Sequence, residues 1–392
     1  MSFNVFLSGA SLHTSLGFGL EEHANELRSP SADLLALPNK IKLPIQLADE
    51  DAPEEIPYHL VARKPLKDTE TRYFEILEKV VENCLSTSGL SEEELSNTGL
   101  YLGTSSSDVC LIEQNYLDEL KNDENAQPLN LFCSMDNLGA HLRKKFNLSP
   151  MGMSVNTACT ASANALLYAA AAIKSGRLKH AIIVGAEILN ITTAYGFQGL
   201  ELLTQTRMRP FDARRDGLVL GEAASAVILS AQKPSFASIE LLGGATLSDG
   251  YGMSAANPDG SSIARVIRQA LKQSNVSAED INAIKAHGTA SLLNDEGESE
   301  GLKQVFHTLP TITTLKPYIG HTFGASGLTE LLILNACLDA GFIPGTPGIS
   351  EQACSKLGIT LNQTSQNMEN PIILCNQFGF GGNNTSLVVR YG

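Results

Sequence analysis

The stretch "VNTACTASANALLYAAAAIKSG" (Val155–Gly176) holds a helix-length run, Thr160 to Lys174, with no charge before its last residue. A helix that is apolar all round has no face to offer water, so it must be enclosed. A second such run, "GLTELLILNACL" (Gly327–Leu338), carries a single charge, Glu330. The chain therefore has to supply layers on both sides of these segments. Strand-like runs provide them: residues 3–10, "TGLYLG", Val155–Thr157, "HAIIVGAE" (180–187), 224–230, 237–243, "INAIKAHGT" and "PIILCNQFG". Helical spacing covers 69–88, 160–174 and 261–274. Strand and helix alternate, which predicts a parallel or mixed α/β sheet with helices packed on it.

The two buried runs share a plan. Each follows a turn of small residues, opens on an Ala-Ser pair (Ala161-Ser162, Ala325-Ser326) and ends at a glycine (Gly176, Gly341). At 392 residues the chain has room for two similar halves. Residues 1–233 form the first and 234–392 the second, with "AQKPS" at the midpoint.

Composition removes several function classes. The formal net charge is −14, which disfavours broad nucleic-acid binding. No apolar run is long enough for a bilayer, so membrane insertion is not expected. Seven cysteines, an odd number with no C-x-x-C pair, fit a reducing compartment better than a disulfide framework. They give no zinc signature. The N-terminus lacks a basic n-region. A cytoplasmic protein is expected.

Cys159 stands where a strand gives way to the first buried helix. Unpaired N–H groups and the positive end of the helix dipole favour an anion there, which predicts a lowered thiol pKa. The alternative is a buried structural cysteine. Two of the eight histidines, His287 in "KAHGTAS" and His321 in "KPYIGHTFGASG", lie in turns beside glycines. The other six read as surface or structural. A thiol and two histidines on strand-end turns predict one pocket at one end of a sheet. Lys316 and Glu330 are a candidate buried ion pair, since a buried carboxylate needs a partner. "FGFGG" (378–382) offers backbone N–H groups around Phe380 to an oxyanion.

These residues resemble the β-ketoacyl-acyl-carrier-protein synthases, decarboxylating condensing enzymes of the thiolase superfamily. The resemblance rests on "NTACTAS", "RPFDARRDGLVLGEAAS", "AHGTASLLND", "TTLKPYIGHTFGASG" and "NQFGFGGNNTS", in that order; the part before about residue 95 matches least. It implies a thiolase-like fold, two βαβαβαββ halves in an α-β-α-β-α arrangement. It implies a homodimer, or a heterodimer with a related ketosynthase-like subunit. The implied reaction loads an acyl chain onto Cys159 from acyl carrier protein. Malonyl-carrier protein then loses CO2 and extends the chain by two carbons. No metal or redox cofactor is implied, because the phosphopantetheine arrives on the carrier.

The resemblance also assigns roles. His287 and His321 would act as Nε donors to the enolate. The N–H groups of Cys159 and Phe380 would form the oxyanion hole, within the turn holding Gly379 and Gly381. Phe197 and Phe380 would be gates, and Thr289 and Ser291 would hold the phosphopantetheine arm. Lys316, paired with Glu330, would orient His287. Apart from the resemblance, residues near 108–116 and 131–138 are candidates to wall the acyl tunnel, whose depth depends on rotamers and on the dimer interface. Three features depart from the family: Ser291 replaces a second threonine, Gly381-Gly382-Asn383-Asn384 replaces G-G-T-N, and Glu201 stands where a carrier-docking base is common. Docking charge would then come from Arg63, Lys64, Lys67 and Arg72, or from Arg207 and Arg209, unless these are ordinary solvated residues. The weak N-terminal match and this docking surface hint at an aryl-polyene or type II polyketide pathway rather than housekeeping fatty acid synthesis. The rivals are a thiolase, which needs a second cysteine near the final glycine turn; an initiating Cys-His-Asn synthase; and a non-catalytic chain-length-factor-like subunit.

Overall fold

A computed structural model of the chain describes residues 4–30, 38, 40–43, 55–61, 69–122, 134–235, 238–349 and 357–392. Among the described residues the main sheet has eleven strands: the short Gly17–Phe18 strand pairs only with the strand before it, and the other ten follow one another across the sheet. In the first half they are β1 (Phe6–Thr14), β2 (Gly99–Gly103), β3 (Gly152–Val155), β4 (His180–Glu187) and β5 (Ala223–Ser230). In the second they are β6 (Ile239–Ser248), β7 (Ala283–Lys285), β8 (Thr311–Thr313), β9 (Ile372–Gly379) and β10 (Asn383–Tyr391). Their spatial order is β3-β2-β4-β5-β1-β6-β10-β9-β7-β8. Adding five to each label of the first half and reversing the order reproduces the second half. The strand directions repeat as well. β2 is parallel to β3 and β4, as β7 is to β8 and β9; β5 is antiparallel to β4 and β1, as β10 is to β9 and β6. The halves meet where β1 runs antiparallel to β6, with Phe6 opposite Glu240.

The two apolar runs fold as the helices Ala161–Lys174 and Ser326–Asp339 and fill the layer between the half-sheets. Every residue from Ser326 to Leu338 is buried. Small residues permit the close crossing: a Cβ on Gly327 would stand 2.7 Å from that of Ala163. Ser162 Oγ accepts a bond from the N–H of Leu328, so one helix satisfies an orphan donor of the other. Helix Thr69–Thr87 covers the outer face of the first half-sheet. Helices Ser261–Ser274 and Leu292–Val305 cover that of the second. The result is the α-β-α-β-α layering expected. β4 is buried on both faces along its whole length, which is why "HAIIVGAE" shows no alternation.

Boundaries moved in places. The strand placed at Val155–Thr157 ends at Val155, because the chain must turn there to present Cys159. "INAIKAHGT" pairs only over Ala283–Lys285, leaving His287 two residues beyond the strand. β3 is an edge strand that pairs with β2 on one side; Met153 within it and Met151 just before it are 47% and 44% exposed. Among the described residues, no helix is long and apolar enough to cross a membrane.

Candidate active site

Three turns converge on one cavity of about 290 Å³. Each holds a non-glycine residue in the left-handed region beside its functional side chain: Ala158 (φ 50°) before Cys159, Ala290 (φ 63°) after His287 and Phe323 (φ 44°) after His321. Such conformations are costly and persist where the surroundings enforce them. The enforcement is visible at the His287 turn. Glu298 accepts the N–H groups of His287 and Gly288, and Asp295 accepts those of Thr289 and Ala290. Both carboxylates reach back from the helix Leu292–Val305 and are fully buried.

Cys159 precedes the helix that opens at Ala161 rather than beginning it. Its Sγ lies 3.0 Å from His321 Nε2. The expectation of a lowered thiol pKa is not met. Burial pushes the thiol up to about 11, although Lys316 and the N–H groups of Phe380 and Cys159 favour the thiolate. Burial and then Lys316 hold His321 down at about 3. The resting pair is thus a neutral thiol against a neutral imidazole. His321 Nδ1 sits 3.2 Å from Ser326 Oγ, which in turn sits 3.2 Å from Thr322 Oγ1.

The two histidine rings lie 5.7 Å apart, near perpendicular. Burial, then Lys316, His321 and Lys285, keep His287 well below its usual value. Lys316 Nζ reaches Glu330 Oε1 at 2.6 Å, the His287 carbonyl at 2.8 Å and His287 Nδ1 at 3.3 Å. Glu330 lies wholly inside. Its second oxygen receives Lys285 Nζ at 2.5 Å, a partner the sequence reading missed. Burial alone would raise the Glu330 carboxyl; the two ammonium groups more than reverse this.

Phe197 stacks on Phe380 at 5.3 Å and meets the His321 ring edge-on at 6.4 Å, and both rings line the cavity together with Cys159. Phe323, not foreseen, stacks on His321 at 5.4 Å. Gly379 packs against the nucleophile turn: a Cβ there would lie 3.2 Å from the Cys159 nitrogen. Gly381 and Gly382 both take positive φ, and a Cβ on Gly382 would meet the Asp249 carbonyl at 1.9 Å. Thr289 Oγ1 and Ser291 Oγ are 3.1 Å apart and both line the cavity, as do Asn384, Leu292 and Leu293.

Other expectations fail or fall outside. Arg72 is buried and paired with Glu222 (Nη1 to Oε1 2.8 Å), so it offers no docking charge. Arg63, Lys64 and Lys67 lie outside the described residues, as do 131–133. The helix Val109–Asn122 lines a separate cavity through Gln114, Leu117, Leu120 and Lys121, not the one holding Cys159. Glu201 and Asp216 line the Cys159 cavity and are exposed, so its solvent-facing part carries two acidic side chains. Cys375 is buried within β9, does not line the cavity, and is pushed up to about 12 by burial. The second nucleophile of a thiolase is therefore not there. The third residue beside Cys159 and His287 is His321, not the asparagine of a Cys-His-Asn synthase. Among the described residues no group of three or more metal-ligating side chains is assembled.

Two family models match in tandem: the β-ketoacyl synthase N-terminal domain over residues 67–234 and its C-terminal domain over 239–350. The chain belongs to the β-ketoacyl synthase family. It is 28% identical to 3-oxoacyl-[acyl-carrier-protein] synthase 2 of Vibrio harveyi over 78% of this chain and 79% of that protein. It is 30% identical to the non-reducing polyketide synthase sor2 of Hypocrea jecorina over 63% of this chain, which spans a tenth of that much longer protein. Among solved structures, the ketosynthase ApeO in complex with its chain length factor ApeC from Xenorhabdus doucetiae superposes with a TM-score of 0.83 and 25% identity. That match covers 100% of this chain and 98% of that one.

Proposed function

We propose that this ketosynthase is a 3-oxoacyl-[acyl-carrier-protein] synthase of fatty acid or polyketide biosynthesis with Cys159 as its nucleophile. The observation that carries this reading is the 3.0 Å contact between Cys159 Sγ and His321 Nε2 at the base of a cavity that His287 shares. The thiol is neutral at rest, so it attacks the carrier thioester as its proton passes to His321. The N–H groups of Cys159 and Phe380 face the sulfur and would hold the oxyanion of the adduct. The proton then leaves with the pantetheine thiol.

Acylation removes the thiol proton from His321 Nε2. Ser326 Oγ can donate to Nδ1 as readily as accept, so His321 can carry its proton on Nε2 in the second step. There it donates to the thioester oxygen on which charge grows as malonyl-carrier protein loses CO2. The carbanion attacks the acyl-cysteine, the C–S bond to Cys159 breaks, and the thiolate regains a proton. The product is a 3-oxoacyl chain longer by two carbons. This chemistry needs neither metal nor redox cofactor.

Thr289 and Ser291 would bind the phosphopantetheine arm, while Phe197 and Phe380 would gate it. The exposed edge of β3 with Met151 and Met153 supports pairing with a second copy or a related ketosynthase-like subunit. The unit would divide at 233/234 and work in the cytoplasm. The decisive experiment supplies acyl- and then malonyl-carrier protein and follows intact mass and CO2, beside a Cys159→Ala control. Acylation of Cys159 followed by a two-carbon-longer product supports the proposal. An inert Cys159 with matched carriers would move the chain to the chain-length-factor-like role.

A further inference from the structure

Gln377 is buried in β9, 2% exposed, and its side chain lies between two groups of opposite demand. Its Oε1 is 2.8 Å from His287 Nδ1 and its Nε2 is 3.1 Å from Glu330 Oε2. A carboxylate can only accept, so the amide nitrogen must face Glu330. That turns the amide oxygen toward His287, and an oxygen acceptor at 2.8 Å requires a proton on Nδ1. Burial and two nearby ammonium groups keep the ring neutral, so its single N–H proton is then spent and Nε2 is bare.

Lys316 is the competitor, because its Nζ is 3.3 Å from the same Nδ1. It already donates to Glu330 at 2.6 Å and to the His287 carbonyl at 2.8 Å. Placing the proton on Nε2 would gain the long 3.3 Å contact. It would also set two lone pairs against each other at 2.8 Å, and turning the amide to relieve them would set its oxygen against Glu330. One long contact forgone costs less than either repulsion.

We propose that Gln377 is a positioning residue that fixes His287 in its Nδ1–H tautomer, so that Nε2 meets the substrate as a proton acceptor. This reverses the sequence expectation of two Nε donors. His287 Nε2 takes an O–H or N–H donor in the cavity, a water or an amide of the phosphopantetheine arm, and leaves the enolate oxygen to His321. The kinetic consequence rests on the synthase reading; the tautomer does not, and is measured without substrate.

The test is 15N spectroscopy of the intact enzyme carrying labelled histidine, at pH 7.5, with the His287 signals assigned by their loss in His287→Asn. The wild type is expected to show its proton on Nδ1. Gln377→Met, similar in size but without an acceptor, is expected to move it to Nε2, where Lys316 can bond the freed Nδ1. In parallel, Gln377→Met is expected to slow malonyl decarboxylation about fivefold while leaving acylation of Cys159 within about twofold. A wild-type proton on Nε2 overturns the proposal, as does a folded Gln377→Met protein that keeps Nδ1–H. If the Met variant does not fold, the wild-type spectrum decides. Failure of the synthase reading would instead appear as no acylation in the wild type, whatever the tautomer.

Discussion

His321 and His287 stand 5.7 Å apart in equally dry surroundings, yet their second nitrogens meet different chemistry. His321 faces a serine hydroxyl, itself beside a threonine hydroxyl. A hydroxyl donates or accepts by rotating, so His321 can exchange tautomers during a cycle. His287 faces an amide oxygen that a carboxylate holds in one orientation. The difference also follows the scaffold. His321 belongs to a turn that feeds the buried helix, whose first residue is Ser326. His287 belongs to a turn clamped by Glu298 and Asp295 through four backbone N–H groups. One histidine is built to change state and the other to hold one.

The largest test of this contrast is removal of each ring in turn. His321→Ala is expected to slow Cys159 acylation by about 10²- to 10⁴-fold, the usual worth of a positioned base. His287→Ala is expected to leave acylation within a few-fold and to slow malonyl decarboxylation by a similar large factor. Single-turnover assays of the two half-reactions separate them. Equal loss of both steps in both variants would erase the distinction.

The pH dependence of the thiol comes next in size. With Cys159 pushed up to about 11, its thiolate is roughly one part in a thousand at pH 8. Alkylation of Cys159 by iodoacetamide is therefore expected to rise about tenfold per pH unit from pH 7 to 10. A plateau already reached at pH 7 would mean a preformed thiolate–imidazolium pair, and His321 would then start each cycle charged.

Much of this site is readable in the chain, and the reason is local. Cys159, His287 and His321 sit in turns of small residues that serve no helix or strand, so their residue types stand out. Helix 261–274 and strand 180–187 were legible to the residue because periodicity and apolar content carry them. The supporting shell was not legible. Lys285 looks like any polar residue in a strand, and nothing in its neighbours says that it points at Glu330, 45 positions away. Gln377 finds His287 only after β9 and β7 align. Arg72 sits in a helix rich in charge and reads as solvated until Glu222 arrives from the far end of the first half. The lowered thiol pKa failed for the same reason. A helix terminus is visible in sequence, whereas the depth of burial that outweighs it is not.

The clamp on the His287 turn predicts a stability effect. Glu298→Gln replaces one acceptor oxygen with an NH2 group facing a backbone N–H, and is expected to cost about 1–3 kcal/mol. Denaturant unfolding measures this, and decarboxylation should suffer more than acylation. Asp295 adds a sign. Burial lifts its carboxyl to about 7, above its unfolded value, so the folded state binds the extra proton. Its contribution favours folding most below about pH 4 and is lost as pH rises through about 7. The pH slope of stability across that window should flatten in Asp295→Asn. An unchanged slope would remove Asp295 as the titrating group.

The smallest expected effect bears most directly on the contrast. Ser326→Ala removes the hydroxyl that lets His321 carry its proton on either nitrogen, and leaves the ring and the thiol where they are. One neutral hydrogen bond is worth about 1 kcal/mol, so acylation and decarboxylation should each slow about fivefold. Gln377→Met should slow decarboxylation alone, because its histidine does not touch the thiol. Ser326→Ala therefore spreads its loss over both half-reactions, and Gln377→Met confines its loss to one. If Ser326→Ala instead left both steps unchanged, His321 would exchange tautomers without help, and the clamp on His287 would be the only constraint the fold places on the pair.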